Sequence, residues 1–105
     1  MSSGVSIPDP IAEAWLNAAL SYASTRGYSF DENCRSDLTQ FLRNGALQLK
    51  SVTPGADATT YVTHVRNLVS YMIDELESRS PGEKVLHEWT LSAGIARLCP
   101  LFPFC

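Results

Sequence analysis

Between two proline–glycine pairs, Pro54-Gly55 and Pro81-Gly82, apolar side chains recur at steps of three and four: Tyr61, Val65, Leu68, Val69, Met72, Ile73 and Leu76. On an α-helix that spacing gathers them on one side; on a strand it would scatter them over both faces. The segment is therefore a helix that must pack against something. Asp57 and Thr59 precede the stripe as candidate caps, and Asp74, Glu75 and Glu77 keep to or near its solvent side. Those acids lie near the helix C-terminus, where the macrodipole disfavours negative charge. That end is expected to fray unless Arg79 compensates.

The same periodicity, read along the chain, gives four helices over about 9–26, 32–52, 58–78 and 81–98. Asp9-Pro10 opens the first, with Pro at the position where its missing N–H costs nothing. Ile11, Ala14, Trp15, Ala18 and Tyr22 form its face, and Arg26-Gly27 closes it with a glycine free to turn left-handed. The second starts at Asp31 or Asn33 and buries Cys34, Leu38, Phe41, Leu42, Leu49 and Val52, with Gly45-Ala46 as a site of close packing. Ser80-Pro81-Gly82-Glu83 fits a capping box that opens the fourth. This last helix is apolar on two sides, one formed by Val85, Leu86, Trp89, Ala93 and Ala96, the other by Leu91, Ile95 and Leu98. Small residues in the first and fourth helices (Ala12, Ala14, Ala18, Ala19 and Ala23 against Ser92, Ala93, Gly94 and Ala96) suggest that these two approach closely. Pro100 stops the chain's last helix.

The expected fold is all-α: a four-helix bundle, antiparallel and up-down because the connections are short, with an extended apolar C-terminal tail. An orthogonal, death-domain-like or helix-turn-helix packing of the same helices is the alternative. The chain divides into a lead-in over 1–8, a helical domain over 9–98 and a tail over 99–105. No internal repeat or low-complexity segment stands out.

Composition bounds the function. With 105 residues, 45% hydrophobic and 18% charged, the chain has room for one core and too much apolar content for a disordered segment. A net charge of −3 and scattered basic residues argue against nucleic-acid binding, which needs a concentrated basic face. No apolar run approaches the length of a membrane span, and the N-terminus has no signal-peptide layout. Three cysteines leave at least one unpaired within the chain, which favours a cytoplasmic location.

Few residues carry candidate chemistry. Glu83 and His87 are four apart rather than the three used by helical di-metal sites, and His87, Cys99 and Cys105 lack zinc-site spacing. Cys34 at a helix start could have a lowered pKa, with His64 opposite as a base. It also falls in register with Leu38 and Leu42, and core filler is the better reading. No catalytic residue, metal site or cofactor is assigned, and the chain is read as a non-enzyme.

The tail, Leu98-Cys99-Pro100-Leu101-Phe102-Pro103-Phe104-Cys105, is unlike ordinary bundle sequence. It has no charged side chain and two prolines, and burying each of Leu101, Phe102 and Phe104 is worth roughly 1.5–3 kcal/mol. Three arrangements answer this: a lid folded over the bundle, an extended segment in a partner's groove, or covalent chemistry at Cys99 or Cys105. Acylation there would give a weak membrane anchor, and a Cys99–Cys105 disulfide requires oxidising conditions. Over its last seven residues the chain also resembles the layout of ribosomally made precursor peptides, which implies a maturation enzyme acting on the end. The expected function is a small helical protein–protein interaction module, binding another protein or itself through Leu101, Phe102 and Phe104 or the helix face they cover. The alternative is a modification substrate whose Cys99 and Cys105 are processed or lipidated by a partner enzyme.

Overall fold

The computed structural model describes residues 10–100. The chain forms α1 (Pro10–Thr25), β1 (Ser29–Phe30), α2 (Glu32–Val52), α3 (Val62–Arg79), β2 (Val85–Leu86) and α4 (Glu88–Leu98). It is all-α apart from the two-residue strands, which pair in parallel with Ser29 opposite Val85 and Phe30 opposite Leu86. The lead-in, the Asp9 cap and the tail residues Leu101, Phe102, Phe104 and Cys105 lie outside the described residues.

Gly27 ends α1 as its sequence requires. Its φ of +85° is left-handed, and the N–H groups of Gly27 and Tyr28 donate to the carbonyls of Ser24 (3.0 Å) and Ala23 (2.8 Å). That pair of bonds is a Schellman motif, and it satisfies carbonyls the helix end would otherwise leave open. Tyr28 and Ala23, the two residues this motif brings together, are both buried.

The predicted start of the fourth helix is corrected. Residues 80–83 form a turn, not a capping box: Glu83 N–H donates to the Ser80 carbonyl at 3.1 Å, and Gly82 has φ +94°. Pro followed by a left-handed Gly is type II turn chemistry, and the same pattern recurs at Thr53-Pro54-Gly55-Ala56. The Glu83 carboxylate accepts from the backbone N–H groups of Lys84 (2.9 Å) and Val85 (3.3 Å), so it organises the entry to β2. The helix begins only at Glu88, after His87. The third helix is likewise shorter than expected, because Asp57 accepts from Thr59 N–H (3.0 Å) and its hydroxyl (2.6 Å) in a local turn rather than capping α3. At the other end Arg79 does hold the last turn, bonded to Glu75 at 3.0 Å.

Packing departs from a simple up-down bundle. Helix α1 lies against α2 and α3, and α4 lies against α3 and α2, whereas α1/α4 and α2/α3 have little contact. The expected close approach of the first and fourth helices is therefore replaced by one between α3 and α4. There a Cβ on Gly94 would stand 2.8 Å from Met72 Cγ and 3.0 Å from Leu68 Cδ1.

Residues 53–61 link α2 to α3, and Trp15 anchors this link. Its indole N–H is shared between the carbonyls of Ala58 (3.0 Å) and Thr60 (3.1 Å), while the ring is wholly buried. The α3 stripe is in the core as predicted, from Val65 to Leu76. On α1 the buried face is Ile11, Ala12, Trp15, Ala19 and Ala23, a stripe rotated from the expected one. Val52, expected inside, is 67% exposed.

Candidate functional site

Helix α4 has two apolar faces, and the structure decides which is inside. Thr90, Leu91, Gly94 and Leu98 are buried against α3 and α2. The Thr90 hydroxyl needs a partner there, and it donates to the His87 carbonyl. At 100° per residue the opposite side carries Trp89, Ser92, Ala93 and Ala96. Trp89, Ser92 and Ala96 are exposed and Ala93 is half-buried. The expected face of Val85, Leu86, Trp89, Ala93 and Ala96 is thus split: Val85 and Leu86 belong to β2, and the remainder looks outward.

This outward face has no charge, while Glu88 and Arg97 stand at its two rims. Trp89 is 39% exposed, against 0% for Trp15. The Arg79 guanidinium sits 5.9 Å from its ring centre and covers part of one side. Ser92, Ala93 and Ala96 make a smooth floor beside the indole. The face leads directly to Cys99 and Pro100, where the tail begins. Cys99 is partly buried, its N–H bonds the Ile95 carbonyl at 2.8 Å, and its sulfur is in a disulfide. Leu47 and Val52 are also exposed, but five residues apart on α2 they point in different directions and form no patch.

The polar candidates assemble little. Asp31 and His87 occupy equivalent places, each following a strand of the parallel pair and preceding a helix. His87 Nδ1 lies 3.8 Å from Asp31 Oδ2, and Nε2 lies 3.8 Å from Glu83 Oε2. Both separations are beyond hydrogen-bond reach, the side chains are partly exposed, and the contacts are ion pairs only when the imidazole is protonated. Among the described residues no group of three His, Cys, Asp or Glu side chains is arranged to hold a metal ion. The His64 ring lies against that of Tyr61, tilted by 38° with ring centres 5.3 Å apart.

Cys34 is core, not nucleophile. It is fully buried, and desolvation pushes its thiol from 9.0 up to about 12, with Asp31, Asp37 and Glu88 adding to the rise. The expected lowering by the helix start is overridden, because burial penalises the thiolate more than the dipole favours it. Holding the proton stabilises the fold fully below pH 9, and this contribution is lost as pH climbs towards 12. Native protein at pH 8 should leave Cys34 unlabelled by iodoacetamide over hours, and denaturant should expose it. Rapid labelling of the folded chain at this residue would contradict its assignment to the core.

No protein-family model, curated protein or solved structure gives a significant match to this chain. No helix among the described residues is long and apolar enough to cross a membrane.

Proposed function

We propose that the protein is a helical protein–protein interaction module whose working surface is the outward face of α4 together with the tail that follows it. The observation that supports this is the second apolar face: Trp89 is 39% exposed beside Ser92, Ala93 and Ala96 while α4 already buries its other side. A helix that only completes a core needs one apolar stripe. An exposed indole next to small residues offers an anchor and a socket, the combination that concentrates binding energy at interfaces. The small residues let a partner helix, from another protein or a second copy, approach the backbone closely. Leu101, Phe102 and Phe104 extend this greasy surface in sequence.

Light scattering and photo-crosslinking test the reading together. The full chain should show a mass above its monomer value of 11.5 kDa at high concentration, or a crosslinker at Ser92 should capture a partner in host extract. Trp89→Ser with Ala96→Arg should abolish either event, a loss of about 2 kcal/mol or more, with helical circular dichroism unchanged. Leu101→Ser with Phe104→Ser should weaken it further. A strictly monomeric chain whose crosslinks from Ser92 match those from Gln40, on the exposed side of α2, would defeat the proposal.

A further inference from the structure

A cleft of about 290 Å³ lies between α1 and α3, lined by Ala18, Ser21, Tyr22, Thr25 and Arg66. Its chemistry is one-sided. Among the described residues the Arg66 guanidinium has neither a hydrogen-bond nor an ion-pair partner. At the same place Arg26 Nη1 donates to the Tyr22 hydroxyl at 3.2 Å, and its guanidinium lies 5.9 Å from the Tyr22 ring centre. The Tyr22 hydroxyl is also bonded to Ser70 Oγ at 3.0 Å. These two hydrogen bonds, from Ser70 first and Arg26 second, lower the phenol pKa against the opposing effects of burial and of Asp74. The Thr25 hydroxyl donates to the Ser21 backbone carbonyl at 2.9 Å, and the side chains of Ser21 and Thr25 both line the cleft.

We propose that this cleft binds a small organic oxyanion, a carboxylate or phosphate monoester carried on an aromatic or short apolar body. Arg66 takes the oxyanion through paired N–H donors, a geometry that suits both groups. Ser21 adds a hydroxyl donor. The Ala18 and Thr25 methyl groups and the Tyr22 ring receive the apolar part, which a bare inorganic ion would leave unused. Arg26 holds the Tyr22 ring in place through its bond to the phenol oxygen. No residue of the α4 face lines the cleft.

Nuclear magnetic resonance titration of the full chain with phenyl phosphate, benzoate and inorganic phosphate decides the matter. Phenyl phosphate or benzoate should shift the amides of Ser21, Thr25 and Arg66 saturably below roughly 10 mM, and whichever binds identifies the head group. Inorganic phosphate should bind about tenfold more weakly or less. Arg66→Gln should weaken binding about tenfold, whereas Arg43→Gln, an equal charge change on α2, should leave it intact. Ala18→Leu should close the cleft and remove the shifts without altering helical content. Absence of saturable shifts with either organic probe would overturn the assignment. So would tightest binding of inorganic phosphate, or equal loss in the Arg66 and Arg43 variants, which marks unspecific charge attraction.

Discussion

Replacing Trp15 with alanine is expected to lower the thermal midpoint by about 20 °C, the largest effect of any single truncation in this chain. Deleting a fully buried Trp costs about 3–5 kcal/mol in lost transfer and cavity terms. A domain of this size has only about 5–15 kcal/mol of total stability, and each kcal/mol moves its midpoint by roughly 4–8 °C. Trp15 also has a second role. Its indole N–H is the bond between α1 and the carbonyls of Ala58 and Thr60, in the link that carries the chain from α2 to α3. Trp15→Phe keeps most of the volume and removes that bond, so it isolates the polar part. It should cost about 1–2 kcal/mol and speed amide hydrogen exchange in residues 56–61 more than in α2 or α4. A Phe variant as stable as the parent, with exchange unchanged in the link, would show that the shared bond contributes nothing. An Ala variant within a few degrees of the parent would remove Trp15 from the centre of the core.

The sequence carried the helices more clearly than their arrangement. The α3 stripe from Val65 to Leu76 was legible because large apolar residues there alternate with Arg66, Asp74 and Glu77, giving sharp contrast at a single period. The α1 face was misplaced by a fraction of a turn for the opposite reason. Alanines at 12, 14, 18, 19 and 23 differ little in hydrophobicity, so the face is chosen by whichever neighbours need small residues. Ser80-Pro81-Gly82-Glu83 satisfies two local grammars at once. The left-handed Gly82 selects the turn, and a glycine at that position in a helix would have been costly as well. Strands of two residues lie below any periodicity, and they exist here because the parallel pairing satisfies backbone groups between helices. Ser29 N–H donates to the Lys84 carbonyl at 3.0 Å, and Asp31 N–H donates to that of Leu86 at 2.9 Å. The doubled apolar pattern of α4 was visible in sequence, whereas the choice of the inward face depended on Gly94 fitting under Met72. The α1/α3 cleft had no sequence signal, since Tyr22, Ser70 and Arg66 meet only through a helix pairing that periodicity does not specify.

Gly94→Val is expected to loosen α4 from α3 and to cost about 3 kcal/mol, the upper end for overpacking. The reasoning separates two opposed terms. A glycine inside a helix is about 1 kcal/mol worse than alanine, so any side chain gains on propensity alone. Against this, a Cβ at position 94 would lie 2.8 Å from Met72 Cγ, 3.0 Å from Leu68 Cδ1 and 3.2 Å from the Leu68 carbonyl oxygen. Met72 and Leu68 are both fully buried, so they have little room to retreat, and the carbonyl belongs to the α3 backbone and cannot retreat alone. Gly94→Ala should therefore come out destabilising by about 1 kcal/mol despite the helical gain, and valine's two further methyl groups should push the helices apart. The clash with Met72 can be tested by a double-mutant cycle. Met72→Ala alone opens a cavity, but in combination with Gly94→Ala it frees the space the new methyl needs, so the pair should be more stable than the sum by about 1 kcal/mol. Strict additivity would mean that α4 shifts as a unit to admit the methyl. A stabilised Gly94→Ala would mean that the close approach of α3 and α4 does not require glycine at all.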